Sequence, residues 1–275
     1  MSFKYVNPGY NEGQIFQSCG VVAHADSKHP AGQSIRVYTT KALYPLAAGC
    51  NALYLKAYRQ GSTNIEFETA NNVRVGIYDY GNIEVNNQQV GKSVTDSDQE
   101  VYMKIFSNAE NGIFELYVDG LLFYSYTGDV LHGADIANVA FRNGQISSLI
   151  ISDEEFLKTE KICVLTPKTT TATMTDNGDG SYTATAENQN VLQTFDIDDL
   201  TTKVNGGTVT GLVMVGNPAY CVDGDLGNIT AMKGTSEKGT KELPTVTDKP
   251  VLVSWSENLN PAALDGVQMG WKAKA

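Results

Sequence analysis

The residues of this sequence best suited to chemistry are two carboxylates, Glu66 and Glu68, in the run Asn64-Ile65-Glu66-Phe67-Glu68-Thr69. Two apart on a strand, they face the same way with Cα atoms about 7 Å apart. Acid–base cleavage of a glycosidic bond uses two carboxyl groups roughly 5–10 Å apart, so the spacing alone permits it. The residue between them is Phe67 rather than a third acid. The expectation is a solvated strand face and no catalytic residue.

The other reactive side chains converge less. His24 and His29 are five apart with Pro30 following, and His132 stands alone. None has Asp or Glu at metal-ligand spacing, and no G-x-S-x-G or Cys–His arrangement occurs, so satisfied or solvent-facing histidines are expected. Cys19, Cys50, Cys163 and Cys221 show no C-x-x-C spacing. They read as small buried thiols rather than a disulfide framework. Asp176-Asn177-Gly178-Asp179-Gly180-Ser181 looks like the front of an EF-hand loop. That loop needs Gly at its sixth position and flanking helices. Ser181 holds the sixth position, so a hairpin turn is expected, as for Asp223-Gly224-Asp225-Leu226-Gly227-Asn228. Calcium shared between such loops is the weaker exclusion. Asn205-Gly206-Gly207 precedes a strand, so no helix N-terminus is there to hold a phosphate. No cofactor-binding or metal-binding residue is assigned, and no cofactor is expected.

The net charge of −11 over 275 residues, with acids clustered at Asp196, Asp198 and Asp199, lacks the Lys/Arg clusters that phosphate backbones require. No nucleic-acid partner is expected. No apolar run approaches 18 residues, so no membrane insertion is expected, and the N-terminus shows no apolar signal segment.

The elements that must position these residues read as strands. Leu53, Leu55 and Ala57 alternate with Tyr54, Lys56 and Tyr58; Val73, Val75 and Ile77 alternate with Arg74, Gly76 and Tyr78; Val101, Met103 and Ile105 alternate with Tyr102, Lys104 and Phe106. Such period-2 patterning sends one set to a core and the other outward. Asn86-Asn87, Asn111-Gly112, Asp119-Gly120 and Asn143-Gly144 suit tight hairpin turns with positive φ. Asp153-Glu154-Glu155-Phe156 could start one helical turn. Lys158 to Pro167 leads out of the first half, with a Thr-rich stretch at Thr169–Thr173, and in the second half strands are expected at 181–187, 190–197, 208–216, 251–256 and 266–272. Tyr78, Tyr80, Tyr124 and Tyr126 are read as core or interface residues in preference to a glycan site.

Two stretches carry a family resemblance. Residues 101 to 126, VYMKIFSNAENGIFELYVDGLLFYSY, followed by Ile146-Ser147-Ser148-Leu149-Ile150-Ile151-Ser152, resemble the closing hairpin and last strand of concanavalin A-like and laminin-G-like jelly rolls. That group includes lectins, adhesion modules, glycosidases and spacers, so the likeness implies fold rather than function. Its glycosidases place an Asp between their two glutamates, which is missing here. The second half, through Trp255, Leu259, Ala263, Leu264, Val267 and Gly270, resembles a β-sandwich module of bacteriophage structural and tail-associated proteins.

The expected fold class is all-β, with two tandem jelly-roll-like β-sandwich domains at 1–160 and 168–275 and a boundary near 158–170. The resemblance implies a non-enzymatic structural component of a phage virion: a capsid decoration, head fibre or tail-associated adhesion protein assembled in the host bacterial cytoplasm. The alternatives are a carbohydrate-binding surface module and, behind it, a jelly-roll glycosidase. Expected partners are other virion proteins, further copies of the chain (a trimer preferred) and a host surface glycan. Terminal segments at Phe3, Tyr5 and Val6 and at Trp271–Ala275 are the expected contacts with a neighbouring subunit.

Overall fold

A computed structural model of the chain describes residues 4–10, 16, 19–25, 28–38, 41–95, 97–198, 200, 207–217, 226–243 and 250–275. The chain divides into two units, Met1–Ile162 and Cys163–Ala275. Every described strand ladder is antiparallel and stays within one unit. Both units are β-sandwiches, so the protein is all-β and its first unit a jelly-roll type.

The strands of the first unit begin with β1 (Lys4–Asn7), β2 (Gly20–Ala23), β3 (Gln33–Val37), β4 (Ala42–Pro45), β5 (Ala52–Gln60), β6 (Asn64–Glu68) and β7 (Arg74–Tyr78). They continue with β8 (Asn82–Val85), β9 (Gln88–Ser93), β10 (Gln99–Phe106), β11 (Asn108–Val118), β12 (Leu121–Val130), β13 (Asn138–Arg142) and β14 (Gly144–Ser152). One sheet runs β12-β11-β10-β5-β14-β3-β2, with β1 also paired to β14. The other runs β4-β13-β6-β7-β8-β9. Alternation fixes what lies between them. Leu53, Leu55, Ala57, Met103, Phe114 and Ile151 from the first sheet share one buried cluster with Ile65, Phe67, Val75, Ile77, Ile83 and Phe141 from the second. The outward set of β6 is therefore Asn64, Glu66 and Glu68, and that of β7 is Arg74, Gly76 and Tyr78.

The turns repay the same scrutiny. Asn86 and Asn87 both have positive φ (53° and 65°), as do Asp119 and Gly120 (48° and 81°), the geometry of two-residue hairpins. Asn111-Gly112 differs from the expectation. Pairing of β10 with β11 begins at Phe106↔Ile113, which leaves both residues in that hairpin's connection, yet Gly112 also pairs with Gly128 of β12. It is needed for close approach rather than for positive φ, since a Cβ there would lie 2.6 Å from both Asn108 O and Val130 Cβ. Asp153–Phe156 forms a bend and not a helical turn. Beyond it the chain is tied back onto the sheet, where Lys56 Nζ donates to the carbonyls of Lys158 (2.6 Å) and Glu160 (2.7 Å).

The second unit holds β15 (Thr166–Ala172), β16 (Thr175–Asp176), β17 (Tyr182–Thr183), β18 (Asn190–Asp196), β19 (Val209–Gly216), β20 (Asn228–Lys233), β21 (Ser236–Glu242), β22 (Val251–Leu259) and β23 (Met269–Lys274). A five-stranded sheet, β15-β18-β23-β20-β21, and the β19-β22 ribbon share a core of Met214, Ala231, Val251, Val253, Met269 and Trp271. The Thr-rich stretch, where no strand was expected, is a strand. It is the edge strand β15, exposed along its whole length. The two terminal segments pair within the chain. Tyr5 and Val6 are buried in β1 and pair with Ile151 and Ile150, while β23 sits between β18 and β20. Each completes its own sheet; Phe3 lies outside the described residues. Among the described residues no helix is long and apolar enough to cross a membrane.

Phe67 is fully buried at the centre of the first unit. Phe67→Ala is expected to lower that unit's unfolding free energy by roughly 3–5 kcal/mol, the usual cost of an aromatic core truncation, read from urea denaturation.

Candidate functional site

The outer face of the six-stranded sheet gathers the first unit's buried carboxylates among the described residues, Glu66, Glu68 and Glu84. Cross-strand register places the residues on a grid. Glu66 lies between Ala140 of β13 and Gly76 of β7, and Gly76 in turn faces Glu84 of β8. One step along, Asn64 is level with Arg142, and one step the other way Glu68 lies between Asn138 and Arg74. Glu66 thus has the two smallest side chains of the face on either side. Gly76 cannot be enlarged, because its φ is +150° and a Cβ would lie 2.3 Å from Ile65 O. A shallow floor results, walled by longer side chains.

Those walls carry the opposite charge. Lys41 Nζ lies 2.5 Å from Glu68 Oε1, and Arg74 Nε donates to Glu84 Oε2 at 2.8 Å. Arg74 also approaches Glu66 at 3.8 Å, and its guanidinium stacks 3.9 Å above the ring of Tyr78. Arg142 reaches Glu66 Oε1 at 3.4 Å and Glu68 Oε1 at 3.9 Å, with its guanidinium 5.6 Å from the Tyr78 ring. The face therefore has two tiers. Glu66, Glu68 and Glu84 are 1%, 3% and 5% exposed, whereas the side chains of Arg142, Arg74 and Lys41 are 20%, 24% and 27% exposed.

The deepest groups are not satisfied. Both carboxylate oxygens of Glu66, both amide atoms of Asn64 and Nε of Arg142 are buried without a hydrogen-bond partner. Buried polar groups left in this state cost free energy, so a cluster of them in one place is unusual. Burial pushes Glu66 up to about 7; the guanidinium of Arg142 pulls the other way and the neighbouring Glu68 adds to the rise. The expectation of a solvated strand face for Glu66 and Glu68 is corrected: Arg74 on β7, Arg142 on β13 and Lys41 just before β4 close over them.

The remaining candidates do not converge on this face. His24 and His29 stack with ring centroids 3.7 Å apart, and His29 Nδ1 is 2.8 Å from Ser147 Oγ, on the other sheet. His132 meets Asp129 at 2.6 Å on the surface. Cys50 is half-buried with a free thiol that burial pushes up to about 11. Cys163, also a free thiol, is in the second unit. Asp176 and Asp179 accept from Gly178 N and Ser181 N in the turn joining β16 to β17, a hairpin as expected. Cys221, Asp199, Asn205-Gly206 and Asp223–Asp225 lie outside the described residues. Among the described residues no group of three or more His, Cys, Asp or Glu is placed to hold a metal. In the second unit, burial pushes Glu257 up, but Lys233 Nζ and Trp255 Nε1, each donating at 2.7 Å, outweigh it and hold the carboxyl below its usual range.

Tyr78 and Arg74 were legible as one outward set, and the Glu pair as another. Arg142, Glu84 and Lys41 were not singled out, because their place beside Glu66 and Glu68 depends on strand order, which alternation does not encode.

No protein-family model matches the chain, and no curated protein matches it. Among solved structures it is similar to galectin LEC-6 of Caenorhabditis elegans, at 17% identity and a TM-score of 0.29, over 43% of this chain and 94% of that one. At that score the likeness assigns no role to any residue.

The charged floor makes a pH prediction. A carboxyl raised to about 7 in the folded state binds its proton more tightly than in the unfolded chain, where about 4.3 is normal. Glu66 then favours folding below about 4.3, and that contribution is lost as pH rises through 7. Glu66→Gln is expected to raise first-unit stability at pH 8 by up to about 3 kcal/mol, with little change at pH 4, in urea denaturation at the two pH values.

Proposed function

We propose that the first unit is a carbohydrate-binding module that uses the outer face of its six-stranded sheet, in a non-enzymatic protein of adhesive type. The observation that carries this reading is the two-tier face: buried carboxylates at Glu66, Glu68 and Glu84 beneath a part-exposed rim of N–H donors from Arg142, Arg74 and Lys41 and the Tyr78 ring. Sugars offer hydroxyls that both donate and accept, together with an apolar ring face. The part-exposed N–H donors of Arg142, Arg74 and Lys41, the Tyr78 ring and the exposed Leu43 match that mixture. Burial supports binding over bond cleavage. A glycosidase acid must touch the glycosidic oxygen, and the Glu66 oxygens are covered.

The second reading, a phage virion component acting with other virion proteins, is favoured by one feature of the second unit. Strand β15 presents an open ladder edge with all seven residues exposed, the kind of edge that pairs with another chain. Immunogold labelling of particles, where the chain would appear at symmetry-related positions, tests that context; trimer formation is read from light scattering.

For the leading reading, the full chain on a glycan array at 0.15 M salt is expected to retain a defined glycan class. Tyr78→Ala is expected to weaken that retention about tenfold, the scale of a lost aromatic contact, with the thermal melt reporting the fold. An array with no retained glycan counts against the module.

A further inference from the structure

The cations of this face are unequally engaged. Lys41 and Arg74 each have a close carboxylate, at 2.5 Å and 2.8 Å. Arg142 is the exception. Its nearest carboxylate oxygens are 3.4 Å and 3.9 Å away, and its Nε makes no hydrogen bond. A guanidinium presents a planar fork that matches a carboxylate or sulfate with two parallel hydrogen bonds. Arg142 is also the cation beside the small residues of the face, since Ala140 precedes it on the same side of β13 and Leu43 pairs across from Ala140. The exposed Leu43 side chain thus adjoins an under-used fork.

We propose that Arg142 receives the carboxylate or sulfate of an acidic sugar whose ring lies against Leu43. The proposal rests on the carbohydrate reading above and narrows it to acidic glycans. The charges facing Glu66 are Glu68 on its own strand, Arg74 and Tyr78 on β7, Glu84 on β8, Arg142 on β13 and Lys41 before β4. Lys41 and Arg74 are matched to Glu68 and Glu84, which leaves Glu66, at 3.4 Å, as the nearest counter-charge to Arg142, with Glu68 beyond it at 3.9 Å. With Glu66 pushed up to about 7 by burial, that counter-charge is half neutralised near neutral pH, and an incoming anion takes its place. An anion bound at Arg142 therefore favours the protonated carboxyl, and binding is linked to proton uptake.

The test uses the full chain at 0.15 M salt with four immobilised probes: dextran sulfate against dextran, and oligogalacturonate against a neutral oligogalactan. The expected result is retention of one charged probe and not its neutral counterpart, roughly tenfold tighter at pH 6 than at pH 8, as a group titrating near 7 requires. Arg142→Gln is expected to lose at least tenfold, and Arg142→Lys, which keeps the charge but not the fork, to fall between. Glu66→Gln is expected to hold the tighter affinity at both pH values. Thermal melts of each variant separate lost binding from lost folding. Equal retention of neutral and charged probes overturns the acidic-sugar assignment and leaves the carbohydrate reading standing. Charged-probe binding that Arg142→Gln does not change, or that stays flat from pH 8 to 6, overturns it as well. No probe bound at either pH overturns both.

Discussion

The strict two-sidedness of β6 is the constraint on which the first unit turns. Ile65 and Phe67 fill the space between the sheets, so Asn64, Glu66 and Glu68 have no choice but the opposite face. A slip of one residue would bury three polar side chains in the core and expose two large apolar ones. The same register then decides which neighbours those carboxylates meet. Pairing with β13 brings Arg142 and Ala140, and pairing with β7 brings Arg74 and Gly76. The charge network is thus a by-product of core packing, held in place by residues that never touch it.

Much of this could be read from the sequence, and the part that could not has a physical cause. Alternation named Leu53, Leu55, Val75, Ile77, Met103 and Ile105 as core residues, and all are fully or almost fully buried. Asp119-Gly120 and Asn86-Asn87 disclosed their turns because positive φ restricts residue choice so severely. What alternation withholds is lateral order. β6 pairs with β13, more than sixty positions along the chain, and nothing local in Asn64–Glu68 announces Arg142. That is why a desolvated carboxylate cluster looked like an ordinary wet strand face. Gly112 misled for a related reason, since its role is set by the approach of Val130 on a strand the turn pattern does not mention.

The second unit shows the limit from the other side. Its strands β18, β19, β22 and β23 carry apolar residues and were expected, whereas β15, with threonines on both faces, read only as a Thr-rich stretch. Threonine is a good strand former whose side chain also suits loops, so a strand with no buried face leaves no periodic trace. Its identity comes only from its ladder with β18 and the Thr169–Thr194 hydroxyl contact at 2.5 Å.

One consequence of the topology concerns the order of events as the chain forms. Lys4 pairs with Ser152 and Val6 with Ile150, so the first strand of the unit closes against its last. A partner that far along the chain makes the loop-closure entropy large and the contact order high, which places such a unit among slow folders. During synthesis the apolar side chains of β1 and β5 must wait for β14 to leave the ribosome before their sheet can be completed. Until then the nascent chain carries Tyr5, Val6, Leu53 and Leu55 without the cover they have in the finished sandwich, so the apolar surface at risk of wrong contacts is greatest just before β14 arrives.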